Sequence, residues 1–187
     1  MILPMTFALA FIAVAIALAW WWISRLAVTP PQVTMLPMRI AFPGGIRIAE
    51  PERALAGLAR LDEIVIPFER AELVIAYPLT VPATVPLQAA VSWGFTRGEL
   101  VRAICEEYAN VYEAEEATSA TPTVPREERA GRAERNRTDG AYGIWGHDLD
   151  DLVLTSLRWT RAAGGAVSIE LHVEAQPRGG AAPHPAT

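Results

Sequence analysis

Thr96–Glu113 reads TRGELVRAICEEYANVYE, and this stretch decides the fold. Thr96 followed by Glu99 has the capping-box pattern. The Thr hydroxyl takes one orphan N–H of the first turn, and the Glu carboxylate reaches back to another. Leu100, Val101, Ile104, Cys105, Tyr108, Val111 and Tyr112 then recur at helical spacing on one side. Glu99, Arg102, Glu106, Glu107, Asn110 and Glu113 fall on the other. A helix with one dry stripe needs an apolar surface to cover, and strand patterns on both flanks supply a sheet. Cys105 lies on the dry stripe, where an inert buried thiol is the expected state.

Downstream, Leu152–Trp159 and Ala166–Ala175 read as a hairpin joined by Arg161–Gly165 (RAAGG). Val167, Ile169, Leu171 and Val173 alternate with Ser168, Glu170, His172 and Glu174, which gives a sheet with one dry and one wet face. Upstream, Met38–Phe42 predicts a strand ending in a Pro43-Gly44-Gly45 turn, and Pro51–Leu61 predicts a helix. Ile64–Phe68 and Leu73–Tyr77 read as a hairpin or adjacent strands, and Val85–Val91 as an edge strand among prolines. The expected class is α+β: a mainly antiparallel sheet packed on one principal amphipathic helix, preceded by an N-terminal transmembrane helix.

That last element comes from residues 1–24, MILPMTFALAFIAVAIALAWWWIS, which carry no charged side chain. The apolar run over residues 5–23 is long enough to cross most of a hydrocarbon core of roughly 30 Å. Trp20, Trp21 and Trp22 suit the membrane–water interface, and no good small-residue cleavage site follows them. The organisation expected is an anchor at 1–27, a Pro-rich stalk at 28–37, one domain at 38–175 and a disordered tail at 176–187. Arg25, Arg39 and Arg47 follow the span and no basic side chain precedes it, which places the domain on the cytoplasmic side. Asn136-Arg137-Thr138 is a glycosylation sequon that would argue for the opposite side. The partners expected are the bilayer, through residues 5–23, and a protein.

All 16 basic side chains are Arg, a composition that fits GC-rich codons. Net charge is −5, so no overall basic field exists for holding nucleic acid. A single cysteine excludes an intramolecular disulfide and a multi-Cys zinc site. Residues 114–140 are polar and rich in charge, Thr, Pro and Gly. They read as a long loop that buries little, with its arginines on a solvated mixed-charge face.

The densest chemistry lies in Asn136–Leu152 (NRTDGAYGIWGHDLDDL). His147 with Asp148, Asp150 or Asp151 has the residue types for a divalent metal site. His147 could equally act as a general base oriented by a carboxylate, with Asp148 and Asp151 as the catalytic candidates. The structural alternative is a glycine-rich turn that pins Tyr142 and Trp145 into the core, with Asp148 capping a short helical turn. No P-loop, nucleophile elbow, H-E-x-x-H or G-x-G-x-x-G accompanies it, and no cofactor is expected. Gly94–Leu100 (GFTRGEL) together with Asn136–Leu154 (NRTDGAYGIWGHDLDDLVL) resembles a family of uncharacterised proteins of large DNA viruses and some algae or protists. The resemblance spans about residues 72–175. It implies a viral or protist origin and, because those relatives carry no assigned activity, transfers no catalytic role. The function expected is non-catalytic interaction or scaffolding at a virion or host-cell membrane. A small metal-dependent or hydrolytic enzyme centred on His147 is the alternative.

Overall fold

The computed structural model describes residues 38–129 and 134–176. The anchor, the stalk and residues 177–187 of the tail lie outside the described residues. Among the described residues, no helix is long and apolar enough to cross a membrane.

The domain is α+β. Strands β1 (Met38–Arg47), β3 (Arg70–Ile75), β4 (Ala83–Gln88), β6 (Leu152–Arg161) and β7 (Val167–Ala175) form a five-stranded sheet in the order β1-β6-β7-β3-β4. Every neighbouring pair is antiparallel except β3 and β7, which run parallel. β2 (Ile64–Ile66) and β5 (Phe95–Thr96) pair in a separate small sheet. α1 (Pro51–Ala56) is short, and α2 (Arg97–Thr118) is the principal helix.

α2 starts where its capping box directs. The Thr96 hydroxyl accepts the Glu99 N–H at 3.1 Å, and the Glu99 carboxylate accepts the Thr96 N–H at 3.3 Å. Its stripe from Leu100 to Tyr112 is buried in one core with Leu73, Ile75, Leu154, Leu157, Trp159 and Ile169 of the sheet. The outward positions of β7, Glu170, His172 and Glu174, stay exposed, as the alternation requires. The β6–β7 turn closes through Ala162 N–H to the Ala166 carbonyl at 2.8 Å, with Gly165 at φ +88°.

Five boundaries differ from the sequence reading. β1 does not stop at Phe42. Pro43, Gly44 and Gly45 form a bulge inside the strand, and pairing with β6 resumes at Ile46. Gly45 is required there: a Cβ would lie 2.3 Å from Val153 Cγ1, and φ is +72°. The 51–61 helix ends at Ala56, because Gly57 caps it and Arg60 takes a positive φ. The 64–68 and 73–77 runs are neither a hairpin nor neighbours. Pro67 has no N–H to continue β2, so β2 pairs with β5 while β3 pairs with β4 and β7. The edge strand is Ala83–Gln88, bonded only to β3. Finally, α2 runs to Thr118, more than a turn past Tyr112, the end of its buried stripe, because the alanines and glutamates of Ala114–Ala117 favour a helix despite their polarity.

Candidate functional site

Residues 119–129 and 134–151 fold back along the C-terminal half of α2, and two carboxylates of the helix's last turns, Glu115 and Glu116, organise them. Glu115 is fully buried. Its oxygens accept the N–H groups of Gly140 (2.8 Å), Tyr142 (2.7 Å) and Gly143 (3.0 Å). The DGAYG turn is thus a backbone cup around a carboxylate. Gly140 has no room for a side chain, since a Cβ would lie 2.7 Å from the Glu115 carboxylate. Burial by itself would raise the Glu115 carboxyl. The Thr138 hydroxyl and the three N–H donors outweigh it and hold the group below the usual carboxylate range.

The second assembly is ionic. Asp148 accepts a bidentate guanidinium from Arg129 (2.7 and 2.9 Å) and a further bond from Arg126 at 2.8 Å. Asp151, 1% exposed, takes Arg126 Nη2 at 2.9 Å and also accepts the Asp148 N–H at 3.3 Å. Arg135 pairs with Glu116 at 2.5 Å and lies 5.2 Å from the centre of the Tyr112 ring. The Tyr112 hydroxyl donates to the His147 carbonyl at 2.9 Å, which fastens the motif to α2. Burial pushes the Asp148 carboxyl up, but the bonds from Arg129 and Arg126 outweigh that and hold it low. The same bonds push both guanidiniums up.

The expected solvated loop is therefore corrected. The side chains of Arg129 and Arg135 are each only 5% exposed, because long-range acidic partners offset their desolvation. Asn136, the sequon residue, accepts the Val124 N–H at 2.8 Å and donates to the Pro122 carbonyl at 3.1 Å, so its amide is a loop fastener.

Asp148 does occupy the N-cap position of a 3-10 turn at Leu149–Asp151, as the structural reading required. Trp145 does not enter the core. It is 44% exposed, Tyr142 is half-buried, and Ile144 between them is the fully buried residue. Gly143 (φ +62°) and Gly146 (φ +78°) bracket Ile144 and Trp145, and the backbone they allow turns Ile144 inward to bridge Leu79. Trp145 then stacks edge-on to Tyr77 at 6.1 Å, with the His147 ring 5.7 Å from Tyr77 and 6.5 Å from Trp145.

Of the sequence candidates, Asp148 and Asp151 come together, but around arginines. The His147 ring packs among aromatic rings, and the exposed Asp150 offers its carbonyl to Arg47 at 3.3 Å. Among the described residues, no three His, Cys, Asp or Glu side chains converge as a metal set. Cys105 is buried in the core and its thiol is pushed up to about 11 by that burial. Sequence reading missed Glu115, Arg126, Arg129 and Arg135. The available signal was the helical propensity of Ala114–Ala117, which places Glu115 and Glu116 on the helix facing the motif. No protein-family model, curated protein or solved structure matches the chain.

Proposed function

We propose that the chain is a membrane-anchored, non-catalytic interaction or scaffolding protein. Residues 5–23 sit in the bilayer, the domain lies on the cytoplasmic side, and the setting is a virion or host-cell membrane. What supports the non-catalytic reading is the internal pairing of the motif. Asp148 and Asp151 are engaged by Arg126 and Arg129, and Glu115 by three backbone N–H groups. A general acid, base or metal ligand needs a carboxylate free to meet substrate, and these are held by the fold. What the motif does present to solvent is Trp145, stacked on Tyr77 beside His147. A half-exposed Trp is a residue type favoured at protein interfaces.

Two measurements on the full-length chain test the reading. Carbonate washing of expressing membranes should leave the protein in the pellet; release into the supernatant overturns the anchor. Titration of the purified chain with zinc, manganese and magnesium should show no stoichiometric tight binding. Tight 1:1 binding abolished by His147→Ala and weakened by Asp150→Ala would replace the scaffold with the metal-dependent enzyme.

A further inference from the structure

β1 and α1 enclose a cleft of about 750 Å³, within the roughly 300–1,000 Å³ typical of small-molecule sites. Five of the chain's 16 arginines line it: Arg39, Arg47, Arg53, Arg60 and Arg97. The chain as a whole carries −5, so this concentration runs against its overall charge. Glu50 pairs with Arg53 at 3.1 Å, and Glu63 serves both Arg60 (3.2 Å) and Arg97 (2.5 Å). Arg39 and Arg47 bond neutral oxygens, the Ser156 hydroxyl at 3.2 Å and the Asp150 carbonyl at 3.3 Å. Arg39 turns its guanidinium to the outward face of the sheet, beside Arg158 and Glu170. Counting Glu50, Glu63 and the Asp150 carboxylate in full against Arg47, Arg53, Arg60 and Arg97 still leaves a positive charge in excess. The floor is apolar: Phe42 and Ile46 are core residues, and Ile40 and Leu58 pack against them.

We infer that this cleft binds a phosphate monoester carried on an apolar stem. Guanidinium groups match phosphate oxygens bidentately, and four of them around one cleft offer more donors than the two oxygens of a carboxylate can accept, whereas a phosphate monoester presents three terminal oxygens. The Ile40, Phe42 and Leu58 surface takes the stem, which inorganic phosphate would leave uncovered. The headgroup of an anionic membrane lipid and a soluble organic phosphate share this chemistry. The inference stands whether or not residues 5–23 span a bilayer.

The test uses full-length protein in a non-ionic maltoside detergent, titrated calorimetrically with hexyl phosphate, inorganic phosphate and hexanoate. Hexyl phosphate should bind at least ~10-fold more tightly than either of the others, because only it combines the dianion with the stem. Arg53→Gln with Arg60→Gln should weaken it at least ~10-fold. The two side chains are 84% and 72% exposed, so the fold should tolerate their loss. Arg102→Gln, on the outer side of α2, should leave binding unchanged. Absence of hexyl phosphate binding, or equal binding by the double variant and the parent, overturns the proposal. Nanodiscs then separate the sources. If phosphatidic acid in the disc displaces hexyl phosphate where phosphatidylcholine alone does not, the occupant is a lipid headgroup. If neither disc displaces it, the occupant is a soluble phosphate. A chain that washes off membranes yet binds hexyl phosphate loses the anchor and keeps the site.

Discussion

Along the C-terminal half of α2, Arg126, Arg129 and Arg135 meet Asp148, Asp151 and Glu116, three cations with three anions. In the cleft between β1 and α1, four guanidiniums share fewer carboxylates around an open volume. The residue type is the same and the consequence differs. Where each guanidinium has an acidic partner and little water, its charge organises the chain and is closed to a ligand. Where charge is in excess beside an open apolar floor, the same group is available for recognition. Exposure separates the extremes of the two groups: the Arg129 and Arg135 side chains are 5% exposed and those of Arg53 and Arg60 84% and 72%, with Arg126 (40%) and Arg97 (13%) between them.

The sharpest way to break that contrast is Asp148→Ala. It removes the bidentate partner of Arg129 and one partner of Arg126, leaving a buried guanidinium uncompensated. The expected cost is about 3–5 kcal/mol, read from denaturant midpoints followed by circular dichroism. A change below about 1 kcal/mol would mean the cluster is a surface network of the ordinary weak kind. The pH dependence supplies a second readout. Glu115, Glu116 and Asp148 all titrate below their ordinary range in the folded domain. Their contribution is therefore present above the unfolded-state values, about 4, and is lost as pH falls through the lower folded-state values. Stability should drop below about pH 4, and Asp148→Asn should drop less steeply than the parent because one of the depressed groups is gone.

The motif itself contains a smaller contrast between neighbours. Ile144→Ala truncates a fully buried side chain and should cost about 2–5 kcal/mol. Trp145→Ala removes a larger ring that is 44% exposed, so it should cost only about 1 kcal/mol, mostly from the edge contact with Tyr77. Equal losses would put Trp145 in the core after all.

These pairs also explain what sequence reading could reach. Thr96 and Glu99 are three residues apart, and the alternation from Val167 to Glu174 is continuous, so local geometry reveals the cap and the strand directly. Glu115 finds its donors 25 to 28 residues away, and Arg129 finds Asp148 after 19. A polar stretch read without those partners looks solvated, because composition records charge and not pairing. The glycines of the motif were visible as a turn. Which ring they turn outward depends on the positive φ of Gly143 and Gly146, which spacing alone does not determine. The arginine cleft is assembled from positions between 39 and 97, each of which reads alone as an ordinary flanking charge.

The smallest expected effect isolates the open cluster. Arg53→Gln and Arg60→Gln each break an i,i+3 pair that is largely solvated on the arginine side. Such pairs contribute little, because water already solvates the guanidinium and ordering two long side chains opposes the attraction. Each change should therefore move the denaturant midpoint by no more than about 0.5 kcal/mol equivalent. Removing one of several mutually repelling cations could even raise stability slightly at low salt, and adding salt would then narrow the difference. A loss near that of Asp148→Ala would mean that the cleft arginines hold β1 to α1 as the closed cluster holds the loop to α2. The cleft would then be framework, and the distinction between the two arginine groups would vanish.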